Sequence, residues 1–75
     1  MDNYYKITIA KTGIDTRDVG NGCDVTYIIA PDDESANEHA ESEAQSYGCT
    51  QYRSKHVLFD EIDPKYDKST IITIS

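Results

Sequence analysis

The chain has 75 residues, 37% of them apolar, and a formal net charge of −7. At that length it forms one domain burying only about 60% of its unfolded surface, which allows a thin two-layer core and excludes a deep substrate cavity. Its apolar content excludes a wholly disordered chain, and its longest apolar run, YIIA, falls far short of the roughly 20 residues of a membrane span.

The first residues, MDNYYKITIAKTG, show no charged stretch leading into an apolar one. No signal peptide is therefore expected, and a cytoplasmic protein is. YYKITIA, residues 4–10, alternates: Tyr5, Ile7 and Ile9 point one way, Tyr4, Lys6 and Thr8 the other. That period, with β-branched residues, reads as a half-buried strand. Residues 12–22, rich in Gly, Asp and Asn, read as a loop between antiparallel strands. DVTYIIA, residues 24–30, is the second strand, with Val25, Tyr27 and Ile29 on one face and Thr26 and Ile28 on the other. Pro31 ends its ladder because it has no N–H to donate.

PDDESANEHAESEAQSYGC, residues 31–49, reads as a helix. Asp32 or Asp33 is its N-cap, and acids in the first turn suit the helix dipole. Ala36, Ala40, Ala44 and Tyr47 make one apolar stripe, and the small alanines let the helix lie close on a sheet. Gly48 supplies the left-handed stop. A third strand is expected over 51–59. EIDPKYDK, punctuated by Pro64, then reads as a turn, and STIITIS, residues 69–75, as the fourth strand.

The expected fold is α+β, ββαββ: a four-stranded, fully antiparallel sheet in the order 2-1-3-4, with one helix packed on one face. A right-handed crossover is expected between the second and third strands. The expected core is Ile7, Ile9, Val25, Tyr27, Ile29, Ala36, Ala40, Ala44, Tyr47, Val57, Phe59, Ile72 and Ile74, with Tyr5 buried beside them. Tyr4, Tyr52 and Tyr66 are then candidates for an interface, where tyrosine is enriched. Cys23 and Cys49 fall at one end of the domain. Reduced thiols suit the expected compartment, and a disulfide stays open if the Cα atoms lie within about 7 Å.

Charge is the most informative feature. Asp32, Asp33, Glu34, Glu38, Glu41 and Glu43 share the helical segment with no Lys or Arg, while the rest of the chain holds eight acids against seven bases. A solvated face accounts for acidic helices in general. Such faces commonly mix signs, however, because Glu–Lys pairs at i, i+4 add a few tenths of a kcal/mol, and Glu34 and Glu38 repel at that spacing by a similar amount. The favoured reading is a partner site. Glu34 to Glu41 spans about 10 Å along the axis, flanked by Asp32, Asp33 and Glu43. A basic protein surface built to hold nucleic acid could accept that row.

Other constellations are weaker. Asp60, Glu61, Asp63 and Asp67 lack EF-hand spacing and its central Gly, and read as a capped surface turn. His39 and His56 with the two cysteines match no zinc pattern. Neither metal nor cofactor is expected. Cys49, His56 and Asp60 share residue types with a catalytic triad but have no nucleophile elbow or oxyanion loop around them, so the chain is read as no enzyme. The seven cations are scattered, only Arg53 and Lys55 share a strand face, and no direct nucleic-acid binding is expected.

In size, charge and element order the whole chain, through YYKITIA, DVTYIIA, the helix DESANEHAESEAQSYG and STIITIS, resembles the small phage-encoded type I anti-CRISPR proteins. The resemblance implies an inhibitor in the host cytoplasm that blocks a crRNA-guided surveillance complex by occupying its basic DNA-binding surface. The alternative is a structural or accessory module that self-associates as a homodimer, or joins an assembly, through a sheet edge formed by the second or fourth strand.

Overall fold

A computed structural model describes residues 3–17 and 22–74. Residues 18–21 of the expected loop and Ser75 of the expected last strand lie outside the described residues. The element order is β1 (Asn3–Ala10), β2 (Cys23–Ala30), α1 (Asp33–Ser46), β3 (Gln51–Val57) and β4 (Ile72–Thr73). The class is α+β, as the sequence indicates.

β1 is the hub of the sheet. It pairs antiparallel with β2, setting Tyr5 opposite Ile28 and Ile7 opposite Thr26. On its other side it pairs antiparallel with β3, setting Lys6 opposite Lys55 and Tyr5 opposite His56. At the turn after β1, the Ile14 N–H donates to Lys11 O and Gly13 takes φ +89°. A positive φ at the third residue of a type II turn is the conformation only glycine adopts freely.

On one face, α1 covers Tyr5, Ile7, Ile9, Ile28 and Ala30 with Ala36, Ala40 and Ala44. The three alanines are 0–1% exposed. Both ends of α1 are stopped as the sequence dictates. Asp32 Oδ1 accepts the Ser35 N–H at 2.8 Å, satisfying one of the orphan donors of the first turn. At the other end Gly48 sits at φ +70°. The Cys49 N–H donates to Ala44 O at 2.7 Å and the Gly48 N–H to Gln45 O at 3.2 Å, the pair of bonds that defines a Schellman stop. Tyr47 is not core. It is 65% exposed because the chain leaves the helix at this residue and carries the side chain off the alanine stripe.

The opposite face departs from the expectation. The strand order is β3-β1-β2-β4, not 2-1-3-4. β4 pairs with β2, in parallel, through Ile28–Ile72 and Ile29–Thr73, so the sheet is mixed rather than fully antiparallel. The cause is the segment 58–71. It is not a surface turn between neighbouring strands but a strap that passes from the β3 edge to the far side of β2. On the way it packs Ile62, Tyr66 and Ile71 against Tyr27, Val57, Tyr4 and Val25. Ile62 is 3% exposed, and a hairpin turn would leave that apolar surface in water. The strap explains the errors in the expected core. β3 ends at Val57, leaving Phe59 49% exposed, and Ile72, on the edge, is 53% exposed. Val25, Ile29 and Ile74 are half-buried, while Ile28, Ala30, Ala10 and Ile62 are fully buried.

Cys23 and Cys49 form no disulfide among the described residues and are half-buried. They do lie at one end of the sheet, since Cys23 and Gln51 both pair with Ala10. β1 therefore lies between β2, which begins at Cys23, and β3, which follows Cys49.

Candidate functional site: the outer face of the acidic helix

The alanine stripe fixes which acids of α1 face outward. Asp32, Asp33, Glu34, Glu38 and Glu41 are exposed, and Glu43 is half-buried. Four of the six have partners within the fold. Asp32 is the N-cap, and the Ser35 backbone N–H holds its carboxyl below the usual carboxylate range. Asp33 Oδ1 accepts the Tyr5 hydroxyl at 2.7 Å. Glu41 Oε2 accepts the Tyr52 hydroxyl at 2.9 Å. Glu43 Oε2 lies 2.9 Å from His39 Nε2, and its other oxygen accepts the Thr26 hydroxyl at 3.3 Å. Glu34 and Glu38 make no hydrogen bond or ion pair among the described residues.

The phenols answer to these carboxylates. Tyr5 is 2% exposed, and burial, then the bond to Asp33, raise its pKa above 10.0. Tyr52 is raised by its bond to Glu41. The Tyr5–Asp33 bond ties the first turn of α1 to the centre of the sheet, and the Tyr52–Glu41 bond ties its last turns to the β3 edge. Among the described residues no Lys or Arg reaches any carboxylate of α1. The outward row Glu34, Glu38 and Glu41 is thus held on a rigid helix with its charge uncompensated.

The acids after β3 cap local turns. Glu61 Oε1 accepts the Leu58 N–H at 2.7 Å, Asp63 Oδ1 the Lys65 N–H at 2.9 Å, and Asp67 Oδ1 the Ser69 N–H at 3.0 Å. No group of three metal-ligating side chains occurs among the described residues. Cys49 lies before the first residue of β3 and His56 near its last. Gln51, two residues after Cys49, is already roughly 17 Å from His56 at about 3.3 Å per residue, so the triad-like residue types do not converge.

The cations are not scattered in space. Lys6 and Lys55 are direct cross-strand partners, as are Thr8 and Arg53. With Arg17 and Thr16 they line one depression of about 170 Å³ on the face opposite α1. Four of the seven cations meet there. In sequence only the Arg53–Lys55 spacing signals this cluster; the rest requires the β1–β3 register.

No helix among the described residues is long and apolar enough to cross a membrane. No family model, characterised protein or solved structure matches the chain.

Proposed function

We propose that the protein is a binding protein without catalytic activity, whose acidic helix docks on a basic protein surface that otherwise holds nucleic acid. The observation that carries this reading is the row Glu34, Glu38 and Glu41 on the outward face of α1. The row has no cation beside it, and α1 is anchored at both ends by Tyr5–Asp33 and Tyr52–Glu41. A helix that accepts like-charge repulsion at i, i+4 gains most when a cationic surface relieves it. The location of the cations strengthens the point. Lys6, Arg17, Arg53 and Lys55 lie across the sheet from α1, so the negative row meets a basic partner without that cluster beside it. Mechanistically the inhibition is competition: carboxylates occupy the Lys and Arg side chains that phosphates would. The resemblance to the small anti-CRISPR proteins suggests a surveillance complex as the target class. Asp32, Asp33 and Glu43 flank the row, with part of their hydrogen-bonding capacity engaged in the fold.

Association through a sheet edge is the second reading. The edges are β3 and β4, not the second and fourth strands. β3 is open along seven residues, but it carries Arg53, Lys55 and His56, and charge on an edge strand opposes pairing with another copy.

Affinity capture from host lysate separates the two. The wild type is compared with the triple variant Glu34→Lys, Glu38→Lys, Glu41→Lys at low and moderate salt. A nucleic-acid-binding complex recovered at low salt, and lost with the variant, is the expected result. Recovery indifferent to the variant, or self-association alone, contradicts it.

A further inference from the structure

The cationic depression on the face opposite α1 is independent of the acidic row and demands its own account. Directly opposed like charges in neighbouring strands destabilise a sheet, yet Lys6 and Lys55 are such a pair. Among the described residues no carboxylate lies within ion-pair distance of Lys6, Lys55 or Arg53. Arg17 closes one side of the depression while paired to Asp15 at 2.8 Å. The strap formed by 58–71 covers the Tyr27 and Val57 region of this face and brings Glu61 and Asp63 to a second depression that Lys6 also lines.

Thr8 supplies the second observation. It is the buried polar residue of the core, 4% exposed, and it lines this depression. Its hydroxyl has no hydrogen-bond partner among the described residues. The hydroxyl itself stays open to the depression, where it is placed to donate to an anionic acceptor.

We propose that Lys6, Thr8, Arg53 and Lys55, with Arg17 at the rim, form a binding site for a small phosphate-bearing anion on the sheet face opposite α1. Three features fix the class. The volume, about 170 Å³, is below the roughly 300 Å³ at which drug-sized ligand pockets begin, and so fits a single anionic group. Arginine offers a planar fork that matches phosphate oxygens, and lysine a compact charge that does so without directional demand. The Thr8 hydroxyl donates to an oxyanion. An occupant of this kind relieves the Lys6–Lys55 repulsion directly.

The test is an amide-resolved NMR titration of the full chain at pH 7 and matched ionic strength, with inorganic phosphate, a nucleoside 5′-monophosphate and sodium chloride as separate arms. Saturable shifts at Lys6, Thr8, Arg53 and Lys55 with phosphate, absent with chloride, are expected. Binding by inorganic phosphate alone identifies the free ion as ligand, and tighter binding by the nucleotide identifies a phosphoryl group on an organic carrier. Lys55→Gln should weaken binding by about tenfold or more. Thr8→Val, which keeps the shape and removes the hydroxyl, should weaken it while leaving the amide spectrum folded, and Lys65→Gln should not change it. Linear, unsaturable shifts spread over all seven cations would overturn the site. Binding by a single-stranded oligonucleotide but by neither small phosphate would overturn the small-ligand assignment. Charge reversal on α1 leaves this titration unchanged, so its outcome is independent of the helix reading.

Discussion

Tyr5 shows how closely the charge of α1 is bound to the fold. Its ring is buried in the main core and its hydroxyl donates to Asp33, 28 residues away. Removing the hydroxyl with Tyr5→Phe deletes a charge-assisted bond and should cost about 1–2 kcal/mol in urea unfolding. A second consequence is pH dependence at both limits. Asp15 is held down to about 2 by its bonds from Arg17, and Asp32 and Asp67 are lowered by their bonds from Ser35 and Ser69. These carboxyls bind protons more weakly when folded. They therefore contribute stability above about pH 4, and this is lost as pH falls toward about 2. Tyr5 and Tyr52 are raised, so their contribution is complete below pH 10 and is lost as pH rises through their folded values. Melting temperature measured against pH should fall at both ends, and Asp15→Asn should flatten the acid limb.

At the scale of elements, much was legible because the signals are local. Alternation in YYKITIA and DVTYIIA, the Asp32 cap, the alanine stripe and Gly48 each determine structure within a few residues of themselves. Ala40→Leu, under the middle of α1, should destabilise by about 1–3 kcal/mol through overpacking. The strap was not legible. EIDPKYDK reads as a turn because its Pro and acids favour one, and nothing local says that Ile62 and Tyr66 cross a sheet. Truncating Ile62→Ala should cost about 2–5 kcal/mol, whereas Leu58→Ala, at a residue 64% exposed, should stay within about 0.5 kcal/mol. Equal effects of the two in thermal or urea unfolding would deny the strap its place in the core. The site divides similarly. The acids of α1 were readable one by one, but the tyrosines that hold Asp33 and Glu41 depend on packing, and the Lys6–Lys55 pairing depends on register.

At the scale of the whole molecule, the sheet separates the acidic row of α1 from a cluster of cations on its other face. α1 places uncompensated carboxylates on one side, and β1 and β3 gather cations on the other. A net charge of −7 conceals that division. Association through the helix should therefore weaken with salt as the Debye length shortens, and the orientation of the bound protein should be fixed by its charge asymmetry. The most direct measurement is displacement. Labelled nucleic acid is bound to the complex recovered by affinity capture, and its release is followed as the wild type or the Glu34→Gln, Glu38→Gln, Glu41→Gln variant is added. Stoichiometric release by the wild type, weaker at higher salt and abolished in the variant, is the result expected of an acidic helix that takes the place of phosphates. Release by both proteins alike, or binding of the wild type with the nucleic acid still in place, would contradict it.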